Sequence, residues 1–442
     1  MKQSSGYLVE FLAVLLALAS AAPAQQNPPQ QLSKFDRDRA TAMLQMIGAD
    51  VRKHYYDPKF HGLDWDARVA EAKQKIETSP SMNSALSHIA GALDSLNDSH
   101  TFFLPPPRPY KHDYGFQMQM FGDHCFVTRV RPKSDAESKG LKAGDELLAV
   151  NGFHPTRDDF WRMEYVFNAL RPQTSLHLDV RSPSGGQRQV EVVAKMKQLP
   201  PVANLTEANG IFDMIREFEN QEHLMRTRWE DVGDDLEILK MPEFGFTETE
   251  AEDMVNRARK HKALIVDLRS NPGGAVTSLK ALLGRMFEND IKIGDRVQRD
   301  KKESMEAKSH HNPFTGKLLV LVDSRSAYAS ELFARVVQIE KRGVVMGDHS
   351  SGSVMESRRY GYQTGMDIVA FFGASITDAD LIMTDGKSLE HTGVTPDEIM
   401  IPTAADLASG RDPVLAHAAE TLGYKITPEE AGKFFSYEWS KE

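Results

Sequence analysis

Two apolar runs of strand length constrain this chain more than any other feature. They are residues 263–268, apolar but for Asp267, in "ALIVDLRSNPGG", and residues 318–322, in "KLLVLVDSRSAYASE". Neither alternates polar with apolar, so each reads as a strand buried on both faces within an α/β layer structure. Each run breaks into a polar turn that opens a helical pattern. In open α/β sheets, ligands bind in the crevice beyond the carboxyl ends of the strands. The two turns are therefore the candidate site, and the other segments have to fold around them.

At 442 residues the chain has room for two or three domains of roughly 100–200 residues each. Residues 1–24 have an early lysine, an apolar run from Phe11 to Ala22 and the ending Ala22-Pro23-Ala24, which predicts a secretory signal cleaved before Gln25. An exported protein, periplasmic or extracellular in a bacterium, is expected. No later apolar stretch reaches the roughly 18 residues of a membrane span. The one cysteine, Cys125, precludes an internal disulfide, and the alternating "HCFVTRV" makes it a buried small hydrophobe. A net charge of −10, with no basic patch interleaved with aromatics, argues against a nucleic-acid partner. Metal-ligand spacings and nucleotide loops are absent from the sequence, so no metal or cofactor is expected.

Residues 25–105 carry apolar positions three and four apart in "ATAMLQMIGADVRKHYY", "WDARVAEAKQKIE" and "MNSALSHIAGALDSL", which predicts a small helical domain. Asn97, Asp98 and Ser99 end it, residues 101–104 suit a strand, and a proline run from Pro105 punctuates the junction. Residues 106–197 read as short strands and turns. Residues 198–425 alternate strands with helices, including one predicted over 275–287. Residues 289–313, charged and without a persistent period, read as a surface excursion near the cleft. Asp412 followed by Pro413 is a sound start for a last helix, and residues 426–442 form a tail.

Two resemblances attach to these segments. "YGFQMQMFGDHCFVTRVRPKSDAESKGLKAGDELLAVNG" resembles a PDZ domain, with Tyr114, Gly115, Phe116 and Gln117 at the carboxylate-binding loop. This implies a groove that takes a peptide as an added strand, or a PDZ fold serving only as a lid or spacer. "LIVDLRSNPGG", "LLVLVDSRSAYASELFA", "RGVVMGDHSSG" and "HTGVTPDEIMI" resemble the core of the tail-specific, or C-terminal-processing, serine peptidases, in particular their tricorn-like branch. Together they imply a multidomain α+β protein: an N-terminal helical segment, a PDZ-like domain and an α/β peptidase core. They also imply roles. His100 would be the base, Ser99 an orienting hydroxyl and Glu390 the acid completing the relay. The amides of Gly273 and Ala329 would receive the oxyanion, with Gly274 shaping the turn.

One position departs from the pattern. Similar enzymes read "SAxASE" with the attacking serine at x, and here x is Tyr328. A phenol has a pKa near 10 and carries its oxygen well beyond the place of a seryl hydroxyl. The flanking hydroxyls are Ser326, which reads as a helix cap, and Ser330, about 200° around the helix from Tyr328. Two functions stay open. One is a hydrolase of exported polypeptides or their C-terminal tails, working through Ser330, Ser326, Tyr328 or a water activated by His100. The other is a peptide-binding protein that kept groove and cleft without chemistry. The oligomeric state is left open.

Overall fold

The computed structural model describes residues 32–198, 226–365, 369–437 and 439, so the expected signal and lead-in lie outside the described residues. The helical segment comprises α1 (Lys34–His54), α2 (Trp65–Glu77) and α3 (Met82–Asp94). Ser33, Asp64 and Ser81 cap them, each side chain accepting a backbone N–H three residues on. Their apolar stripes, such as Met43, Leu44, Ile47 and Val51 on α1, are buried. The chain then enters β1 (Phe102–Leu104).

The second unit holds β2 (Tyr110–Asp113), β3 (Phe116–Phe121), β4 (His124–Val130), β5 (Glu146–Val150), α4 (Phe160–Tyr165), β6 (Ser175–Arg181), β7 (Gln187–Val193) and β8 (Lys195–Gln198). Strands β3 to β7 form an antiparallel sheet in chain order, which leaves β3 at an edge; β2 and β8 make a separate ribbon. Cys125 is buried on β4, as its alternating context predicts.

The core runs through β9 (Arg228–Val232), β10 (Leu236–Lys240), α5 (Glu248–Ala258), β11 (Ala263–Asp267), α6 (Val276–Leu283), β12 (Ile291–Gln298) and β13 (Lys302–Ala307). It continues with β14 (Lys317–Val322), α7 (Ala329–Ile339), β15 (Val344–Gly347), β16 (Glu356–Thr364), β17 (Ala370–Met383) and β18 (Glu398–Ile399). Helices α8 (Ala404–Ser409), α9 (Pro413–Leu422) and α10 (Pro428–Phe434) follow. The main sheet has the order β18-β15-β14-β11-β10-β9 and is parallel except for β9. Both apolar runs lie at its centre. Leu264 and Val266 pack with α5, α6 and α7 on one face, while Ala263 and Ile265 pack with α9 on the other. Two-sided burial is why these strands show no alternation.

Three expectations change. Residues 289–313 are not an irregular excursion but contain β12 and β13, paired with each other, with β12 also pairing β17. Ile291 and Ile293 point inward while the intervening Lys292 is exposed, so one-sided burial spreads the apolar signal thin. The tail beyond residue 425 begins with α10, whose start Thr427-Pro428-x-Glu430 is a capping box with proline in the first turn. The boundary at residue 105 is not a packing boundary. Helices α1 to α3, the PDZ-like sheet, Phe103 on β1 and Phe372, Ala374 and Ile376 on β17 share one hydrophobic interior. Among the described residues, no helix is long and apolar enough to cross a membrane.

Candidate active site

The two turns beyond β11 and β14 meet where the sequence puts them. Asp323, at the end of β14, accepts the Ser270 amide at 2.8 Å and the Arg325 amide at 3.0 Å. Asn271 is clamped between the turns: its Nδ2 donates to the Met241 carbonyl at 2.9 Å, and its own carbonyl receives the Ala327 amide at 3.0 Å. This seats Tyr328 at the N-cap of α7 with φ +48° and ψ −111°. Such a backbone costs a non-glycine residue about 1–3 kcal/mol and persists only where its surroundings enforce it. The enforcement is visible. The Tyr328 amide donates to the Ser353 carbonyl at 2.9 Å and to Glu331 Oε2 at 3.1 Å. Glu331, fully buried, also accepts the Gly352 and Ser353 amides and the Ser350 hydroxyl, while burial pushes its pKa up to about 7. Glu331 stands three residues after the N-cap, a spacing that could have singled it out in the sequence.

Across the cleft, Asp98 fixes the Ser99-His100 pair. Its buried carboxylate accepts the amides of His100 (2.9 Å) and Thr101 (2.7 Å), the Thr377 hydroxyl (2.6 Å) and the Tyr55 hydroxyl (2.8 Å). Read from sequence as a helix terminator, Asp98 is the anchor tying α3 to β17. Ser99 Oγ lies 2.7 Å from His100 Nδ1 and 3.0 Å from Glu390 Oε2. Glu390 further accepts the amides of Ser99 at 2.7 Å and Val354 at 3.1 Å. The single Ser99 proton decides the tautomer. An ionised Glu390 can only accept, so Ser99 donates to it and must accept from His100 Nδ1–H. His100 Nε2 is then left with a bare lone pair, the state a general base needs. Burial lowers the His100 pKa to about 4, against the attraction of Asp98, and burial raises that of Glu390.

The hydroxyl at position 328 does not join this relay. The His100 and Tyr328 rings lie 6.1 Å apart between centroids, and the phenol lies in the field of the Glu356 carboxylate, itself ion-paired with Arg296. Burial first, then Glu356, pushes the phenol pKa further above its usual value. The cleft beside the two rings measures about 480 Å³ and is lined on its far side by Lys280, Arg296 and Glu303. Neither flanking serine reaches it. Ser326 is fully buried, donating to the Leu268 carbonyl at 2.8 Å and accepting the Asp323 amide at 2.9 Å, so it locks the turn rather than capping α7. Ser330, equally buried, donates to the Asn271 carbonyl at 3.0 Å.

Of the two amides expected to receive an oxyanion, one is already engaged. The Gly273 amide is committed to Asn271 Oδ1 at 2.9 Å. Among the described residues no acceptor meets the amides of Gly274 and Ala329, which are thus the pair open to a ligand. The turn demands glycine twice. A Cβ at Gly273 (φ +99°) would lie 2.7 Å from Tyr328 Cβ, and one at Gly274 (φ +137°) would lie 2.4 Å from the Phe244 carbonyl oxygen. Gly274→Ala should therefore destabilise the protein by at least about 1–3 kcal/mol, measured by urea denaturation. An unchanged midpoint would mean that the turn yields easily.

In the PDZ-like unit, Tyr114 is buried with its hydroxyl donating to the Gln173 carbonyl at 2.8 Å, and the Gly115 amide (φ +73°) goes to Asp113 Oδ1 at 2.9 Å. Phe116 and Gln117 open the edge strand β3. Much of that edge is already covered, because Arg325 donates to the Met118 carbonyl at 2.8 Å and Ser324 to the Met120 carbonyl at 2.6 Å. The segment that clamps the edge lies three residues ahead of Tyr328. The Phe116–Gln117 end lines a groove of about 530 Å³.

Residues 235–400 match the model of Peptidase family S41, and residues 107–181 that of the PDZ domain. The core belongs to peptidase family S41. Among S41 relatives, the tail-specific protease of Haemophilus influenzae is 26% identical over 323 residues, covering 68% of this chain and 43% of its own length. Carboxyl-terminal-processing peptidase 3, chloroplastic, of Arabidopsis thaliana is 22% identical over 326 residues, covering 68% of this chain and 59% of its own. The matched region thus spans about half the length of these curated relatives. The crystal structure of mature CPAF superposes with a TM-score of 0.64 at 16% identity, covering 85% of this chain and 95% of that one. At that identity the likeness shows the fold.

Away from the S41 cleft, Asp231, Glu237 and His261 lie close enough to hold a metal ion. Arg257 already supplies the cation there, 2.9 Å from Asp231 and 3.3 Å from Glu237.

Proposed function

We propose that this S41 member binds polypeptides in its cleft and PDZ groove and forms no acyl-enzyme. The carrying observation is that the Tyr328 ring sits 6.1 Å from that of His100, its hydroxyl outside the Ser99–His100–Glu390 chain of bonds and in the field of Glu356, which leaves His100 with nothing to deprotonate. A buried phenol beside a carboxylate stays protonated at neutral pH, and a protonated phenol is a poor nucleophile. The buried, fully bonded Ser326 and Ser330 support the same reading. That relatives are called tail-specific and carboxyl-terminal-processing proteases supports polypeptide C-terminal regions as the ligand class. The signal-like start supports export, with cleavage before Gln25 checked by sequencing the N-terminus of the exported protein.

The test pairs binding with labelling. An unfolded protein substrate should bind, read by fluorescence anisotropy, while a fluorophosphonate probe leaves the wild type unlabelled. Stoichiometric labelling at any hydroxyl would overturn the reading. The bare Nε2 of His100 favours a second function, slow hydrolysis by an activated water. In serine proteases that have lost a triad member, roughly 10³–10⁴-fold catalysis over water persists from the oxyanion hole and binding alone. Any rate that a His100-activated water adds to this would be lost in His100→Ala and survive in Tyr328→Phe.

A further inference from the structure

Beyond α10 the chain turns back onto the PDZ groove. Tyr437 and Trp439 stand two residues apart, as do Arg129 and Arg131 at the end of β4. The Arg129 guanidinium carbon lies 4.5 Å from the Tyr437 ring centroid, and that of Arg131 lies 4.6 Å from the Trp439 ring. Both are within the roughly 6 Å at which a cation is drawn to a ring face. Side chains two apart on a strand share a face, and the sequence spacing of the two rings equals that of the two guanidinium groups. Gln117 joins the two partners, its Oε1 accepting from Arg129 at 3.0 Å and its Nε2 donating to the Tyr437 hydroxyl at 2.8 Å. From the opposite side Arg228, on β9, donates to the Ser436 carbonyl at 3.0 Å and lies 5.4 Å from the Phe435 ring.

We propose that Phe435, Ser436, Tyr437 and Trp439 act as a built-in ligand of the PDZ groove, and that the groove selects peptides with two aromatic side chains separated by one residue. The side chains carry this recognition because the backbone route is narrowed: the Met118 and Met120 carbonyls of the edge strand are held by Arg325 and Ser324. An external peptide must displace the chain's own segment, which makes the segment a competitor that sets the threshold for entry. The inference rests on the groove being a peptide site.

The probe is a fluorescent peptide of residues 434–442, Phe-Phe-Ser-Tyr-Glu-Trp-Ser-Lys-Glu. A chain stopped after Phe434 should bind it, and the full chain should bind at least about tenfold more weakly, because a tethered ligand competes at high effective concentration. The full chain carrying Tyr437→Ala and Trp439→Ala should also bind it, which guards against misfolding of the shortened form. A probe with alanine at both aromatic positions, or the opened chain with Arg129→Ala and Arg131→Ala, should lose about tenfold or more. Equal binding by full and opened chains, or indifference to the two aromatic rings, overturns the proposal. If the opened groove ignores this probe but binds a polyalanine peptide, the inference falls and the peptide site stands. Binding of neither removes both.

Discussion

On the proposed reading, Tyr328→Ser should create peptidase activity, raising cleavage of an unfolded protein substrate at least about a hundredfold over the wild type. The groups that the resemblance assigns to a serine's chemistry stand together. The backbone at 328 keeps its left-handed turn, the amides of Gly274 and Ala329 are open, and Glu390, Ser99 and His100 form a chain of bonds ending in a bare Nε2. Adding His100→Ala should abolish the gain, since the new hydroxyl would lose its base. Tyr328→Phe should stay as silent as the wild type. Robust wild-type activity that disappears in Tyr328→Phe would show the phenol itself at work and defeat the binding-protein reading. The pH profile carries a second check. Burial lowers the His100 pKa to about 4, so its neutral, basic form persists well below neutrality. Activity of Tyr328→Ser should hold from pH 7 to about 5 and fall along a limb near 4, rather than near the 6.5 of a free imidazole. A limb at 6.5 would mean that the ring is hydrated.

Asp267→Ala should destabilise the protein by about 3–5 kcal/mol, the usual penalty for removing one partner of a buried ion pair. The carboxylate is buried at the end of β11 and receives the Arg269 amide and Nε at 3.0 Å, Arg269 Nη2 at 2.8 Å and Lys240 Nζ at 3.1 Å. Arg269 reaches on to Asp412, which caps α9 through the Leu415 amide at 2.9 Å. Without Asp267, Arg269 would keep only Asp412, Lys240 would lose its ion-pair partner, and the turn bearing Gly273 and Gly274 would lose its footing. Despite its burial, Arg269 and Lys240 hold the Asp267 pKa well below the ordinary carboxylate value. A carboxylate depressed in the folded state contributes stability above its unfolded pKa of about 3.9, and that contribution is lost as pH falls. Urea midpoints should therefore drop in the wild type below about pH 4, and the gap between wild type and Asp267→Ala should narrow there. A constant gap would assign the loss to packing.

The apolar runs, the two turns and the PDZ-like unit were legible because each has a local signature: hydrophobicity without alternation, paired glycines, turn residues at fixed offsets. The relay residues were legible through resemblance alone, since Ser99 and Glu390 stand 291 positions apart and no periodicity joins them. What escaped was long-range hydrogen bonding. Nothing in "NDSH" says that Asp98 will bind Thr377, and nothing near "SNPGG" says that Asn271 will take the Gly273 amide. Strands β12 and β13 escaped because half of their residues face solvent. The carboxylate beside the phenol, Glu356, sits 28 positions downstream on another sheet and left no local trace.

The pairing of β1 with β17, Phe102 opposite Ser375, has a consequence for the order of assembly. The first three helices bury their stripes against a strand made some 270 residues later, so they have no finished surface to close on during synthesis. Chains with such distant pairings fold slowly and expose apolar surface while they wait. For a protein read as exported, this delay is useful: the leading half stays loose enough to be threaded through a narrow channel. The Ser99–Glu390 bonds cannot form before residue 390 is made, so no shorter chain holds the completed Ser99–His100–Glu390 arrangement.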